Sequence, residues 1–123
     1  MESTRVVDAP VDEDAVGAIF AALADPTRRA LVGVLRHGDA TVTDLAAGFS
    51  VGVPAISKHL TVLEGAGLIS RHRDAQWRRC RLEAEAFERL EAWIEHYTEL
   101  WEGRLDRLDD YVSRMASDAE GAT

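Results

Sequence analysis

The spacing of apolar residues along the chain predicts a mainly helical fold. From Asp12 onward, apolar side chains recur every three or four residues, as they do on one face of an α-helix. This pattern predicts four helices before Gly67. The first two are separated at Asp25-Pro26, where Asp25 suits an N-cap and Pro26 suits the first helical position. The four apolar faces consist of Val16, Ile19, Phe20 and Leu23; Leu31, Val34 and Leu35; Leu45, Ala46 and Phe49; and Ile56, Leu60 and Leu63.

After Gly67 the pattern changes to one that is typical of β-strands. Residues 68–73 and 77–82 are separated by Asp74-Ala75-Gln76, so the sequence predicts a β-hairpin. This turn has no glycine, and the sequence leaves its type open. Spacing by three and four returns over residues 84–115 and predicts one long helix. The predicted fold is mainly α with a small β-hairpin, in the order α-α-α-α-β-β-α.

The fourth predicted helix has an apolar stripe on one side and a small, polar face on the other. A short helix and the tight turn Ser50-Val51-Gly52 precede it, and together they form a helix-turn-helix. A helix that is buried on one side and polar on the other suits insertion into a DNA major groove. The polar face consists of Pro54, Ala55, Ser57, Lys58 and Thr61. His59 lies beside the stripe, and the sequence leaves open whether it packs in the core or contacts phosphate.

Charge is distributed unevenly along the 123 residues, whose net charge is −8. Positive charge is concentrated in residues 53–82, where six basic side chains occur with only Glu64 and Asp74 as acids. Phosphate binding depends on the local field rather than on the molecular sum. We therefore expect the hairpin to act as a wing that contacts DNA beside the helix. Its candidate contacts are Arg71, Arg73, Arg78, Arg79 and Arg81.

The last predicted helix has a broader apolar face than packing against one small domain requires. Its apolar residues follow a heptad-like spacing that Arg104 interrupts at one position. Packing against the same helix of a second chain would use this face, so we expect a homodimer. The predicted contacts are Phe87, Leu90, Trp93, Ile94, Tyr97, Trp101, Leu105 and Leu108. Trp93, Tyr97 and Trp101 are compatible with lining an effector pocket as well.

Length and composition exclude several other classes of protein. We expect one domain at residues 12–115, between a disordered tail at 1–11 and a frayed tail at 116–123. The sequence has no apolar run of the roughly 20 residues that a membrane span needs. No signal peptide is recognisable, and a single cysteine, Cys80, excludes an intrachain disulfide framework, so a cytoplasmic location is expected.

No enzymatic chemistry is recognisable in the sequence. It has no nucleophile–base–acid set, no phosphate-binding glycine loop and no set of metal ligands, so we expect neither an enzyme nor a cofactor. Cys80 is either a packed strand residue or a thiol sensor, and burial is the expected state. Arg28 and Arg29 either cap a helix locally or contact the DNA backbone.

Residues 19–115 resemble the ArsR (arsenic-repressor-like) family of winged helix-turn-helix regulators. Three runs support the resemblance: Leu23-Ala24-Asp25-Pro26-Thr27-Arg28-Arg29, Pro54-Ala55-Ile56-Ser57-Lys58-His59-Leu60 and Leu63-Glu64-Gly65-Ala66-Gly67-Leu68-Ile69. The resemblance implies a homodimer formed through the first and last helices, which adds Ile19 and Phe20 to the interface. It also implies a double-stranded DNA operator with two-fold symmetry, and repression that an effector releases.

The chain departs from the metal-sensing members of that family. Those members have a cysteine cluster in or before the third helix, whereas residues 41–49 here contain neither cysteine nor histidine. Others have Asp and His ligands along the last helix, where this chain has a single histidine, His96. We therefore expect a metal-independent member whose effector, if any, is unknown. The alternative is a winged-helix protein-interaction module that no longer binds DNA, which the net acidic charge would suit.

Overall fold

A computed structural model describes residues 12–121, and within this range five helices and three short strands follow one another. The elements in chain order are α1 (Glu13–Leu23), α2 (Pro26–Leu35), β1 (Ala40–Thr41), α3 (Val42–Ala47), α4 (Val53–Gly65), β2 (Ile69–Asp74), β3 (Trp77–Leu82) and α5 (Ala84–Gly121). The predicted order of helices and hairpin is confirmed. The predicted tail at 1–11 lies outside the described residues.

Side-chain caps begin the first three helices. Asp12 accepts a hydrogen bond from the amide of Ala15 at 3.1 Å, and Asp25 accepts one from Arg28 at 3.1 Å. Thr41 caps α3 in the same way through the amide of Asp44, also at 3.1 Å. Each cap satisfies an amide that has no partner within its own helix. The predicted N-cap at Asp25, with Pro26 following at the start of α2, is confirmed.

The apolar faces of the helices meet in one core. Ile19, Leu31, Leu45, Ile56, Leu60, Leu63 and Leu68 are completely buried there. Three positions differ from the prediction. Phe20 of α1 is 43% exposed and Val34 of α2 is 46% exposed, so neither is part of a buried helix face. Phe49 lies after the end of α3 and packs partly buried against the core.

The sheet has three antiparallel strands rather than the two that the sequence predicted. β3 is the central strand, and it pairs with β2 on one side and with β1 on the other. β1 has only two residues, Ala40 and Thr41, and such a short segment has no recognisable alternation. In the hairpin turn, Ala75 adopts a positive φ of 57°, a conformation that glycine or asparagine usually supplies.

The chain divides into two compact units, one that ends at Leu90 and one that begins at Glu91. The second unit, over its described residues 91–121, is the remainder of helix α5. This helix continues to Gly121, so the frayed tail that we predicted from residue 116 is helical as far as the described residues extend. No helix within residues 12–121 is both long and apolar enough to span a membrane.

Candidate nucleic-acid interface

Helix α4 has one buried face and one open face, as its sequence pattern predicts. Ile56, Leu60 and Leu63 have no exposed surface. Pro54, Lys58 and Thr61 are exposed on the other side, while Ala55 and Ser57 are half-buried. Just after the C-terminal end, Gly67 has a φ of 80°, a left-handed conformation that glycine commonly adopts where a helix ends. The core therefore fixes which side of α4 faces outward.

Arg71 of strand β2 is directed back onto helix α4. Its Nη2 donates to the carbonyl of Ser57 at 3.4 Å and to the hydroxyl of Thr61 at 3.2 Å. Its Nε lies 3.4 Å from Glu64 Oε1, without hydrogen-bond geometry. Only 14% of the Arg71 side chain is exposed. The sequence predicted a DNA contact for Arg71. In the structure its hydrogen bonds instead join the wing to α4.

The hydroxyl of Thr61 takes part in two hydrogen bonds within the chain. This hydroxyl donates to the carbonyl of Ser57 at 3.0 Å while it accepts from Arg71 at 3.2 Å. Because a hydroxyl has one proton to donate, Thr61 has none left for a base edge. Its methyl group remains suitable for contact with a thymine methyl.

His59 connects α4 to the start of α2. Its Nδ1 lies 3.2 Å from Arg28 Nη1 and 4.0 Å from Asp25 Oδ2. Since a guanidinium can only donate, Nδ1 is the acceptor in this contact while the imidazole is neutral. The sequence left His59 open between core packing and phosphate contact, and here it packs half-buried against a neighbouring helix.

Arg28 and Arg29 satisfy carbonyl groups at the end of α1. Arg28 Nε donates to Ala22 at 2.6 Å, and Arg29 Nη1 donates to Leu23 at 2.7 Å. These carbonyls are among the last of a helix and have no intrahelical partner. Of the two roles considered for these arginines, the structure shows the local cap. Arg28 thereby becomes part of the support of α4, a role that no sequence pattern indicated.

The wing, which is the β2–β3 hairpin, has two different faces. Arg71 pairs with Cys80 and Arg73 pairs with Arg78 across the strands, so these four side chains share one face. Arg71 contacts α4 from this face, and Arg73 and Arg78 lie further toward the turn, where both are exposed. Neither of them makes an ion pair with any residue of the described chain. We call Arg73 and Arg78 the open arginine pair.

Arg79 and Arg81 lie on the opposite face of the wing, and each has an acidic partner. Arg79 Nε is 3.4 Å from Asp74 Oδ2, and Arg81 Nε is 3.0 Å from Asp39 Oδ2. Strand alternation in the sequence predicts that Arg79 and Arg81 share a face and that Arg78 does not, and the strand register confirms this. The acidic partners, which the sequence analysis did not identify, neutralise much of the charge on this face.

Cys80 is buried, as expected, with 1% of its surface exposed. Burial raises the pKa of its thiol, because the thiolate would lose its hydration in the core, although the charge of Arg71 opposes this effect. A buried thiol with a raised pKa is a poor nucleophile. The geometry therefore favours the packing role of Cys80 over the sensor role.

On the face of the wing that includes Arg79 and Arg81, a serine and a histidine lie in contact with the carboxylate that follows β3. Ser70 Oγ lies 2.7 Å from His72 Nε2 and donates a short hydrogen bond to Glu83. A catalytic triad places the histidine between the nucleophile and the acid, whereas here the serine lies between them. The same ring nitrogen, His72 Nε2, lies 4.0 Å from Glu83 Oε2 on an exposed strand surface. This arrangement has no general base oriented by an acid.

Helix α4 and its preceding helix α3, together with the basic β-hairpin, define the chain as a winged helix-turn-helix protein. Residues 23–72 match the family of helix-turn-helix domains. A solved ArsR family transcriptional regulator is 44% identical, with a TM-score of 0.69, over 74% of this chain and 94% of that one. The chain belongs to the ArsR family of winged helix-turn-helix transcriptional regulators. The resemblance that the sequence indicated is thereby confirmed.

Two further proteins resemble parts of the chain. The transcriptional repressor SdpR of Bacillus subtilis is 44% identical over 59 residues, which are 48% of this chain and 66% of SdpR. The chain thus spans just under two thirds of that relative's length. A homodimeric winged helix-turn-helix DNA-binding domain from Mycobacterium bovis has the same fold, with 24% identity and a TM-score of 0.58 over 70% of this chain and 80% of that one.

Residues 12–121 contain no group of three or more His, Cys, Asp or Glu side chains that could hold a metal ion. The absence of a metal and of a cofactor nevertheless remains a prediction.

Proposed function

We propose that this protein is a sequence-specific DNA-binding transcriptional repressor that inserts α4 into the major groove. The observation that supports this proposal best is the orientation of α4. Its apolar face is completely buried at Ile56, Leu60 and Leu63, so its other face, with Lys58, is held outward. A helix presented in this way reads base edges through short side chains near its N-terminal half.

The open arginine pair extends this surface along the wing. Arg73 and Arg78 lie on the face of the hairpin that contacts α4, and they have no acidic partner within residues 12–121. Together with Lys58 they supply positive charge for phosphate contacts, which position a protein on DNA. Arg79 and Arg81 are paired with acids on the other face, so we assign them no DNA contact.

The proposed binding unit is a homodimer on an operator with two-fold symmetry. In the described part of α5 beyond Glu91, Ile94, Tyr97, Trp101 and Leu108 are each about half exposed. Apolar side chains at this spacing are typical of a helix that packs against a second helix. The homodimeric structural neighbour supports this assembly, and the name of SdpR supports repression rather than activation.

Ile19 is removed from the proposed dimer interface. Its side chain has no exposed surface within one chain, so it cannot contact a second chain. Phe20 is 43% exposed and remains a candidate from the first helix, as do Phe87 and Leu90 at the start of α5.

The test compares two double variants, each of which removes two positive charges from one face of the wing. We compare Arg73→Ala/Arg78→Ala with Arg79→Ala/Arg81→Ala, using a duplex selected from a random DNA pool at several salt concentrations. Each phosphate contact adds about 0.9 to the slope of log K against log salt. Because each substitution occurs in both chains of the proposed homodimer, the first variant should lose about 3.6 from that slope and bind all sequences more weakly. The second should retain the wild-type slope.

Equal slopes for both double variants would contradict the assignment of the wing faces. Failure of the wild-type protein to retain any duplex from the pool at low salt would contradict the function itself. In that case the alternative, a winged-helix protein-interaction module, would explain the exposed apolar residues of α5. Thermal unfolding of both variants provides the control for folding.

A further inference from the structure

A groove of about 440 Å³ lies on the first unit of the chain, away from the residues assigned to DNA binding. One wall is helix α2, and the others are the end of β3 and the first turn of α5. Its lining consists of Arg29, Val32, Gly33, Arg36, Leu82 and Phe87. Pockets that bind small organic molecules have volumes of about 300–1,000 Å³, so this groove is large enough for one.

The floor of the groove is apolar and continuous with the core. Val32, Leu82 and Phe87 are partly buried and pack against the core cluster. Gly33 lies between the two arginines on α2, and a Cβ built at this position would meet no atom within 4 Å. The space above Gly33 is therefore open, and the helix presents its backbone directly to the groove.

Two guanidinium groups flank this apolar surface. Arg29 uses Nη1 to donate to the carbonyl of Leu23 at 2.7 Å, which orients the group and leaves its other donors free. The Arg36 side chain makes no hydrogen bond or ion pair to any part of the chain from residue 12 to residue 121. Both basic groups at the groove thus keep donors available for an external anion.

We propose that this groove binds a small amphipathic carboxylate, such as an aromatic or branched aliphatic acid. The apolar body of the ligand lies on Val32, Leu82 and Phe87, and its carboxylate accepts hydrogen bonds from Arg36 and Arg29. Arginine matches a carboxylate with two parallel donors. The charge complementarity favours an anionic ligand over a neutral one.

The test uses 4-phenylbutyrate as the probe and 4-phenylbutan-1-ol as its uncharged analogue. Binding to the ¹⁵N-labelled full-length protein, without DNA, is followed by NMR through the amide signals of Val32 and Gly33. The acid should shift these signals to saturation, and the alcohol should bind about tenfold more weakly, because it lacks the charge-assisted hydrogen bonds. Arg36→Gln should weaken binding of the acid by a similar factor.

Gly33→Leu fills the groove and should abolish binding of the probe. The substitution places a better helix former in open space, so the fold should be retained. Gly17→Leu is the matched control, because Gly17 is also a helical glycine with nothing within 4 Å but lies outside the groove. This variant should bind the acid as the wild type does.

Three results would overturn the proposal: no shift of the Val32 and Gly33 signals, equal binding of the alcohol, or unchanged binding by Gly33→Leu. A Gly33→Leu variant that dissociates from dimer to monomer, in a protein that does not bind the acid, would show that a second chain covers the groove instead. Because no measurement uses DNA, the outcome is independent of the proposed DNA binding.

Discussion

Asp25 stabilises the start of helix α2 through its charge as well as through its geometry. A hydrogen bond from the amide of Arg28 is the main reason that its pKa is lowered below 3.8, and the nearby His59 and Arg28 contribute further. Because the folded state has the lower pKa, the unfolded state binds more protons as the pH falls. The contribution of Asp25 to stability is therefore present above about pH 3.8 and is lost as the pH falls through the lowered pKa.

Asp25→Asn tests this contribution, because asparagine is an equally good N-cap without the charge. At pH 7 we expect the variant to be less stable than the wild type, and the difference to shrink at acidic pH as the wild-type carboxylate becomes protonated. Urea unfolding between pH 7 and pH 2 measures the difference. Asp118→Asn, which removes the same charge from the exposed end of α5, gives the baseline. A difference that stays constant over this pH range would show that charge is not involved.

At the scale of elements, the relation between the wing and α4 depends on Arg71. Its side chain joins β2 to Ser57, Thr61 and Glu64, and it is mostly shielded from solvent. In the proposed DNA complex, an arginine in this position would set the angle between the open arginine pair and α4. We therefore regard Arg71 as a positioning residue rather than a phosphate contact.

Arg71→Met keeps the apolar stem of the side chain and removes its hydrogen bonds to Ser57 and Thr61. We expect DNA affinity to fall about three- to tenfold, because hydrogen bonds worth roughly 0.5–1.5 kcal/mol each no longer hold the wing. The salt slope should remain that of the wild type. Arg73→Met is the matched comparison, and it should lower the slope by about 1.8, because the proposed homodimer has two copies of Arg73. Equal losses of slope in the two variants would show instead that Arg71 contacts phosphate directly.

At the scale of the whole molecule, the net charge of −8 and the proposed DNA binding are compatible because the charges are separated along the chain. The basic side chains lie on α4 and the wing, whereas acidic residues dominate α5. Screening at physiological salt limits each charge to about 8 Å, so a phosphate near the wing responds mainly to the wing.

The homodimer is tested at Leu108, which is 55% exposed on the heptad-like face of α5. Leu108→Glu places a charge in the proposed interface, and burying it without a partner costs several kcal/mol, so dissociation into monomers is expected. Sedimentation equilibrium measures the mass. Ser113→Glu adds the same charge on the opposite side of the helix and should leave the mass unchanged. A wild-type protein that sediments as a monomer would contradict the proposed assembly.

The sequence by itself determined the features that depend on neighbours in the chain. Helical spacing identified α1, α2 and α4, and Asp25-Pro26 and Gly67 marked their ends, because caps and apolar stripes involve residues only a few positions apart. The three runs of family residues then identified the ArsR family. Strand alternation alone placed Arg78 on a different face from Arg79 and Arg81.

Only the tertiary structure decided what each candidate side chain contacts. Arg28 meets His59 across 31 residues of sequence, and Arg81 meets Asp39 across 42, and no local pattern specifies such pairs. The same is true of β1, which is a strand only because β3 lies beside it, and of Ile19, whose burial leaves it no surface for a partner. Composition identifies a residue as basic or apolar, but its role depends on partners that folding alone brings together.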